Sequence, residues 1–334
     1  MRIISGSKMR HYATIVGIFL IMSFLITGIP GSYGVSGNDP DSSQNLEIHT
    51  WYDLDAVREN MSGNHTLMND LDSTTAGYEE LAGPTANEGN GWQPIGYGEH
   101  VVSGCGEGFL TYGLTGTLDG QGFEICDLFI HRPEESALGL FAYLDDGGII
   151  KNIGVVNGTV VGYNVVSSLV GENEGGIISS CYSTGSVTGH ANIGGLVGRT
   201  YKGNINNSYA TGSVAGNHFV GGLVGYNMGG GTIMNSYSTC SVTGILVTQH
   251  PIENIGGMVG YNSGDVSSSF WDTETSGQST SEGGTGKNTT ELKTITTFSS
   301  AAWNIIAVAL NETNPVYIWN IVNNVTYPFL GWQL

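Results

Sequence analysis

A phrase of about 27 residues recurs along this chain, and no other feature restricts the fold as severely. Aligned on the third residue of "LGLF", "SSLV", "GGLV", "GGLV" and "GGMV", the copies place Leu140, Leu169, Leu196, Leu223 and Met258 at intervals of 29, 27, 27 and 35 residues. The last interval carries an eight-residue insertion around "ILVTQHPI". A second anchor travels with the first: Tyr182, Tyr209, Tyr237 and Phe270 follow by 12 to 14 residues, each with an aliphatic residue four places earlier, Ile178, Ile205, Ile233 and Val266. A unit this small cannot bury a face alone, so its copies must stack.

The composition selects the kind of stack. Glycine occupies 53 of 334 positions, about twice the usual ~7% share, and interrupts every run within six or seven residues, which excludes helical repeats. Short strands of period two remain. Ile205, Asn207, Tyr209 and Thr211 share one parity, as do Ile233, Asn235, Tyr237 and Thr239. Each coil therefore reads as two or three strands joined by glycine corners. Stacked about 4.8 Å apart in parallel, the coils form an all-β parallel β-solenoid. Like residues become ladders: Leu169, Leu196, Leu223 and Met258; Ile178, Ile205, Ile233 and Val266; Tyr182, Tyr209, Tyr237 and Phe270. The aliphatic and aromatic ladders are expected to form one continuous core, with Asn207 and Asn235 passing amide hydrogen bonds along the axis.

The repeats divide the chain. Arg2, Lys8 and Arg10 precede an uncharged apolar run from Ala13 to Ile29, so residues 1–34 read as a signal peptide or, if uncleaved, an N-terminal anchor. Residues 35–138 read as divergent coils with a short helical cap in "TWYDLDAVREN". Residues 139–277 hold the regular repeats. Residues 278–334, rich in Trp, Phe and Tyr, read as a C-terminal aromatic cap with a capping box at Asn288 and Glu291.

The phrase "GGLVG...I.NSY.TGSV.G" at 194–216 and 221–244 resembles the GLUG-motif repeats of bacterial and archaeal secreted and surface proteins. "GWQPIG...LTGTLDGQGFEICDLFIHRP" resembles the usual entry to such repeats, and "SFWDTETSGQSTSEGGTGK...YPFLGW" the usual exit. The resemblance implies a secreted or cell-surface location and an adhesion-like or envelope-structural role. Ala142, Ser168 and Cys240 depart from it, standing where glycines are expected.

Charge narrows the partners. The formal net charge is -19, and between Asp39 and Asp146 there are 20 Asp and Glu residues against Arg58 and Arg132 alone. Such a surface repels phosphate backbones, which disfavours nucleic acid. Membrane contact is expected only through the N-terminal segment, if it is uncleaved. Cell-surface glycans and matrix or envelope proteins remain as partners, with Tyr201, Tyr226 and Tyr261 as outward rings for sugar stacking.

Catalytic signatures are sparse. There is no H-E-x-x-H, no G-x-S-x-G, and "GGTGKNT" at 283–289 lacks the spacing of a phosphate loop, so no cofactor is expected. His190 and His218 lie nearly a coil apart but are offset by one residue relative to the following "GG". The enzymatic alternative is a polysaccharide lyase or glycoside hydrolase using paired carboxylates. Its candidates are Asp70, Asp72, Asp119 and Asp127, with Glu134 and Glu135, Asp145 and Asp146, and Glu172 and Glu174 as further pairs. The last pair sits beside "GG", reads as a corner and has no basic partner nearby. Of the four cysteines, Cys105 and Cys126 are the disulfide candidate in an exported chain.

Overall fold

The computed structural model describes residues 45–103, 106–246 and 253–333. The expected leader at 1–34 and Cys105 lie outside them. Among the described residues no helix is long and apolar enough to cross a membrane.

Equivalent strands pair in parallel from coil to coil, in four sheets of eight, ten, five and four strands. A regular coil contains five short strands rather than two or three: Val197–Tyr201, Asn204–Asn206, Tyr209–Ala210, Ser213–Gly216 and His218–Gly221. The ladders are in register. Ile178, Ile205, Ile233 and Val266 are successive partners, as are Tyr182, Tyr209, Tyr237 and Phe270. Backbone hydrogen bonds of 3.3, 3.0 and 2.9 Å join Leu169 to Leu196, Leu196 to Leu223, and Leu223 to Met258.

Glycine serves two purposes in these coils. Gly212 has φ 108°, and a Cβ there would lie 2.1 Å from the Gly185 carbonyl oxygen. Gly195 has ordinary φ, yet its Cβ would lie 2.3 Å from the Gly222 oxygen, so this position needs glycine for close approach. Most sharp corners use other residues. Asn152, Ser180, Asn207, Asn235 and Ser268 all take φ between 47° and 55°, a left-handed region that Asn enters more readily than most side chains.

This corner corrects two expectations. Because Asn207 turns left-handed, the period-two alternation does not carry through it: Ile205 points into the coil with Ala210, whereas Tyr209 faces outward. The tyrosine ladder thus belongs to a second core. Its rings stack at 4.9 Å, 9° and 6° from parallel, and are covered by Phe298, Trp303, Trp319, Ile321 and Leu330 from the C-terminal segment. That segment continues the stack through Thr285–Lys287, begins a helix at the expected Asn288 and Glu291 capping box, and folds back along the flank. Tyr237 Oη donates to the Pro328 oxygen at 2.6 Å, and Gln333 Nε2 donates to Tyr209 Oη at 2.8 Å. The aromatic cap is a strap along the side. At the other end Trp51, Leu54 and Val57, from the short helical turns at 51–59, are buried in the coil core.

The expected amide ladder at Asn207 and Asn235 is replaced by one inside the coils. Asn173, Thr200, Asn227 and Asn262 are register partners, and Asn227 Nδ2 donates to Asn262 Oδ1 at 2.7 Å. Thr200 breaks the column: its Oγ1, with Asn173 Oδ1 and Asn227 Oδ1, is buried without a hydrogen-bond partner. Thr200→Asn is expected to complete the ladder and stabilise the fold by about 0.5–1.5 kcal/mol; an unchanged or lower urea midpoint contradicts this. Tyr209→Ala, which removes the middle ring under the strap, is expected to cost about 3–5 kcal/mol, read as a loss of thermal stability and earlier proteolysis within 288–333.

Candidate functional site

The five-stranded sheet sets Tyr143, Glu172, Arg199, Tyr226 and Tyr261 in one register column along the coil axis. Each rung is about 4.8 Å from the next. Tyr143 and Glu172 are buried, and the other three are half-buried.

Glu172 is neither in a corner nor unpartnered. It lies inside the strand Val170–Glu174, and Arg199, one coil later, donates from Nε to its Oε1 at 2.6 Å while Nη2 contacts the same oxygen. The partner escaped the sequence reading because a coil of 27 residues separates neighbours in space. Burial pushes the Glu172 carboxyl up, Arg199 pulls it down and Glu174 adds to the upward push, leaving it at about 7. Burial, followed by the Glu172 charge, raises the Tyr143 hydroxyl to about 12.

The far end of the column is aromatic. Tyr226 and Tyr261 lie 4.9 Å apart, and Phe219 packs on both, stacked at 5.3 Å on Tyr226 and edge-on at 5.7 Å to Tyr261. Phe219 has φ 53°. Its counterparts in the other coils, Val165, Asn192 and Asn254, share this left-handed turn at 56° to 59°. Asn tolerates it, but a bulky ring there is strained by about 1–3 kcal/mol. The sequence does carry a signal for Phe219: "ANIGG", "HFVGG" and "ENIGG" place Phe where neighbouring copies have Asn. Tyr201 stands apart from the Tyr226 and Tyr261 pair, two residues along the strand from Arg199, with Lys202 Nζ 4.9 Å over its ring.

His190 and His218 are brought together, rings 5.5 Å apart and edge-on, with the expected one-residue offset: His218 pairs with Ala191. His190 also stacks on Tyr163 at 5.1 Å. Among the described residues no three His, Cys, Asp or Glu side chains converge.

The carboxylates proposed for hydrolysis are engaged in corners and ties. Asp70 accepts from Glu124 N at 2.8 Å, and Asp72 accepts from Thr74 and Thr75, which hold its carboxyl low. Asp119 pairs with Lys151 at 3.0 Å; burial raises its carboxyl, but hydrogen bonds from Gln121 N, Asn152 and Lys151 outweigh this and leave it low. Asp127 occupies a left-handed corner. Asp145 accepts from Thr111 and Gly113 N, and Glu135 pairs with Arg132. Among the described residues Cys126, Cys181 and Cys240 form no disulfide with one another, and the candidate partner of Cys126, Cys105, lies outside them. Burial first, and for Cys126 also the neighbouring Glu124 and Asp127, raises these three thiols to about 12, which disfavours the nucleophilic thiolate.

The family described as the GLUG motif matches residues 189–215 and 216–243. These two coils match the GLUG repeat. Arg199 lies in the first, and Phe219 and Tyr226 lie in the second. The chain is 30% identical over 135 residues, 38% of its length, to halomucin of Haloquadratum walsbyi, and covers 1% of that protein. It is 28% identical over 179 residues, 50% of its length, to a protein of Evansella cellulosilytica described as a Gly-rich membrane protein, and covers 18% of that one. No solved structure matches.

Because the folded-state carboxyl of Glu172 lies above its ordinary value of 4.5, the native state holds a proton that the unfolded chain releases, and stability falls as pH rises from about 4.5 to about 7. Glu172→Gln is expected to flatten this dependence. Urea midpoints of parent and variant that run parallel across that interval contradict it.

Proposed function

We propose that the chain is an exported surface or envelope protein whose solenoid holds uncharged polysaccharide against its five-stranded face, binding it without cutting it. The basic residues and apolar run that read as a leader at 1–34, and the similarity to halomucin and to a Gly-rich membrane protein, support the location. The observation that carries the binding role is Phe219. Where the adjacent coils place Asn192 and Asn254 in this left-handed turn, this coil places Phe219, whose ring joins Tyr226 and Tyr261 in a half-exposed cluster.

The chemistry selects the ligand class. Apolar faces of sugar rings pack on aromatic rings, and Arg199, partly exposed and tied to the buried Glu172, offers hydrogen-bond donors beside them. The net charge of -19 disfavours polyanions. The same face fits adhesion to a glycan coat or cohesion within one.

Phe219→Asn separates function from folding. It is expected to keep or raise the urea midpoint, since the adjacent coils carry Asn192 and Asn254 here, while weakening glycan retention roughly 2- to 10-fold in affinity electrophoresis of the full chain. Failure of the parent to retain any uncharged glycan overturns the reading, and shortening of a retained polymer overturns its non-catalytic part.

A further inference from the structure

Between Ile95 and Leu114, which bridge to Phe141 and Leu144 of the solenoid, the chain leaves the coil. The strands Tyr97–Ser103 and Gly106–Tyr112 pair antiparallel as a hairpin. Gly96 makes the exit possible: it has φ 97°, and a Cβ there would lie 2.9 Å from the Tyr112 oxygen. Asp145 fixes the base, accepting from Thr111 Oγ1 at 2.9 Å and Gly113 N at 2.8 Å.

At that base Tyr97 and Tyr112 are register partners, with rings 4.5 Å apart and 18° from parallel. They remain 58% and 39% exposed. Two stacked aromatics left in water on a well-tied base form a platform rather than a piece of core. They wall a cleft of about 540 Å³ whose other side is Arg58, Glu59, Met61, Gln93 and Pro94. That side is held in place. Arg58 donates to Asp55 at 2.8 Å and to the Gln93 oxygen at 3.0 Å, with its guanidinium 5.8 Å over the Trp92 ring. Its charge is answered by Asp55, while Glu59 and Gln93 are exposed.

The cleft neighbours the column described above. Gln93, Pro94, Gly96 and Tyr97 also line a smaller pocket of about 210 Å³ that reaches Tyr143, and Tyr143 is the rung before Glu172. Platform and pocket adjoin the Tyr143 end of the column and the Phe219 cluster stands at the other, a track along the coil axis with aromatic rings at both ends and, between them, the buried Glu172 with Arg199 reaching the surface.

We propose that the hairpin cleft is the end subsite of this track, seating one uncharged sugar ring on the Tyr97 and Tyr112 platform with its hydroxyls toward Glu59 and Gln93, so that the protein selects long linear chains. The inference rests on the polysaccharide reading above and adds the site and the length dependence. Each subsite binds weakly; a ligand that spans both ends engages the second at high effective concentration, so affinity climbs with chain length. Polyanions are disfavoured because the net charge is -19 and the arginine that lines the cleft, Arg58, is already paired with Asp55.

The test is calorimetric titration of the full chain with size ladders of cello-, laminari- and N-acetylated chito-oligosaccharides, with oligouronates as the anionic comparison. For the parent, affinity for at least one uncharged ladder is expected to rise with length. Tyr97→Ala combined with Tyr112→Ala is expected to lower affinity for the longest oligomers by about tenfold, to leave the shortest nearly unchanged, and to keep the urea midpoint because both rings are exposed. Phe219→Asn is expected to weaken binding from the other end. If the tyrosine variant binds the longest oligomers as the parent does while Phe219→Asn weakens them, the cleft is not a subsite and the polysaccharide reading stands. If the parent binds none of the uncharged ladders, that reading fails too. Preference for oligouronates overturns the charge argument.

Discussion

Backbone hydrogen bonding between successive coils is the interaction on which the rest of this structure depends. Every strand of a regular coil finds its partner in the copy before or after it, so a residue's neighbours are its own equivalents. Register of this kind turns a one-dimensional repeat into columns. A column that faces inward must be apolar or carry its own amide ladder, and one that faces outward is free to vary. The core and the candidate binding face follow from the same pairing.

The outward columns differ in fate. The tyrosine column is covered by the C-terminal strap and becomes a second core. The column from Tyr143 to Tyr261 stays open toward its aromatic end. Along it the side chains change from a phenol to an ion pair to two further phenols, while the backbone beneath repeats unchanged. Variation on an invariant frame is how a repeat acquires a site. Phe219 shows the local cost, since its ring is held at a corner where Asn sits without strain in the adjacent coils.

Much of this was legible from the residues. The period, the parallel stacking and the membership of all three ladders followed from spacing, because identical coils must superpose. The side on which Tyr209 lies did not follow. Parity predicted the face of Ile205, but Asn207 reverses the alternation, and a left-handed Asn has no separate letter in the sequence. The Glu172–Arg199 pair was hidden for another reason. Their separation of one coil reads as distance along the chain and becomes contact only after stacking.

The sequence by itself determined that coils of about 27 residues would stack in parallel, since glycine spacing forbids long helices and the recurring aliphatic residues can be buried only against their own copies. Tertiary structure decided which columns are covered. Whether a tyrosine ladder is core or surface depends on where a distant strap lies, and whether a buried glutamate meets an arginine depends on register between coils. Both are properties of packing across the stack, and no local stretch of residues contains them.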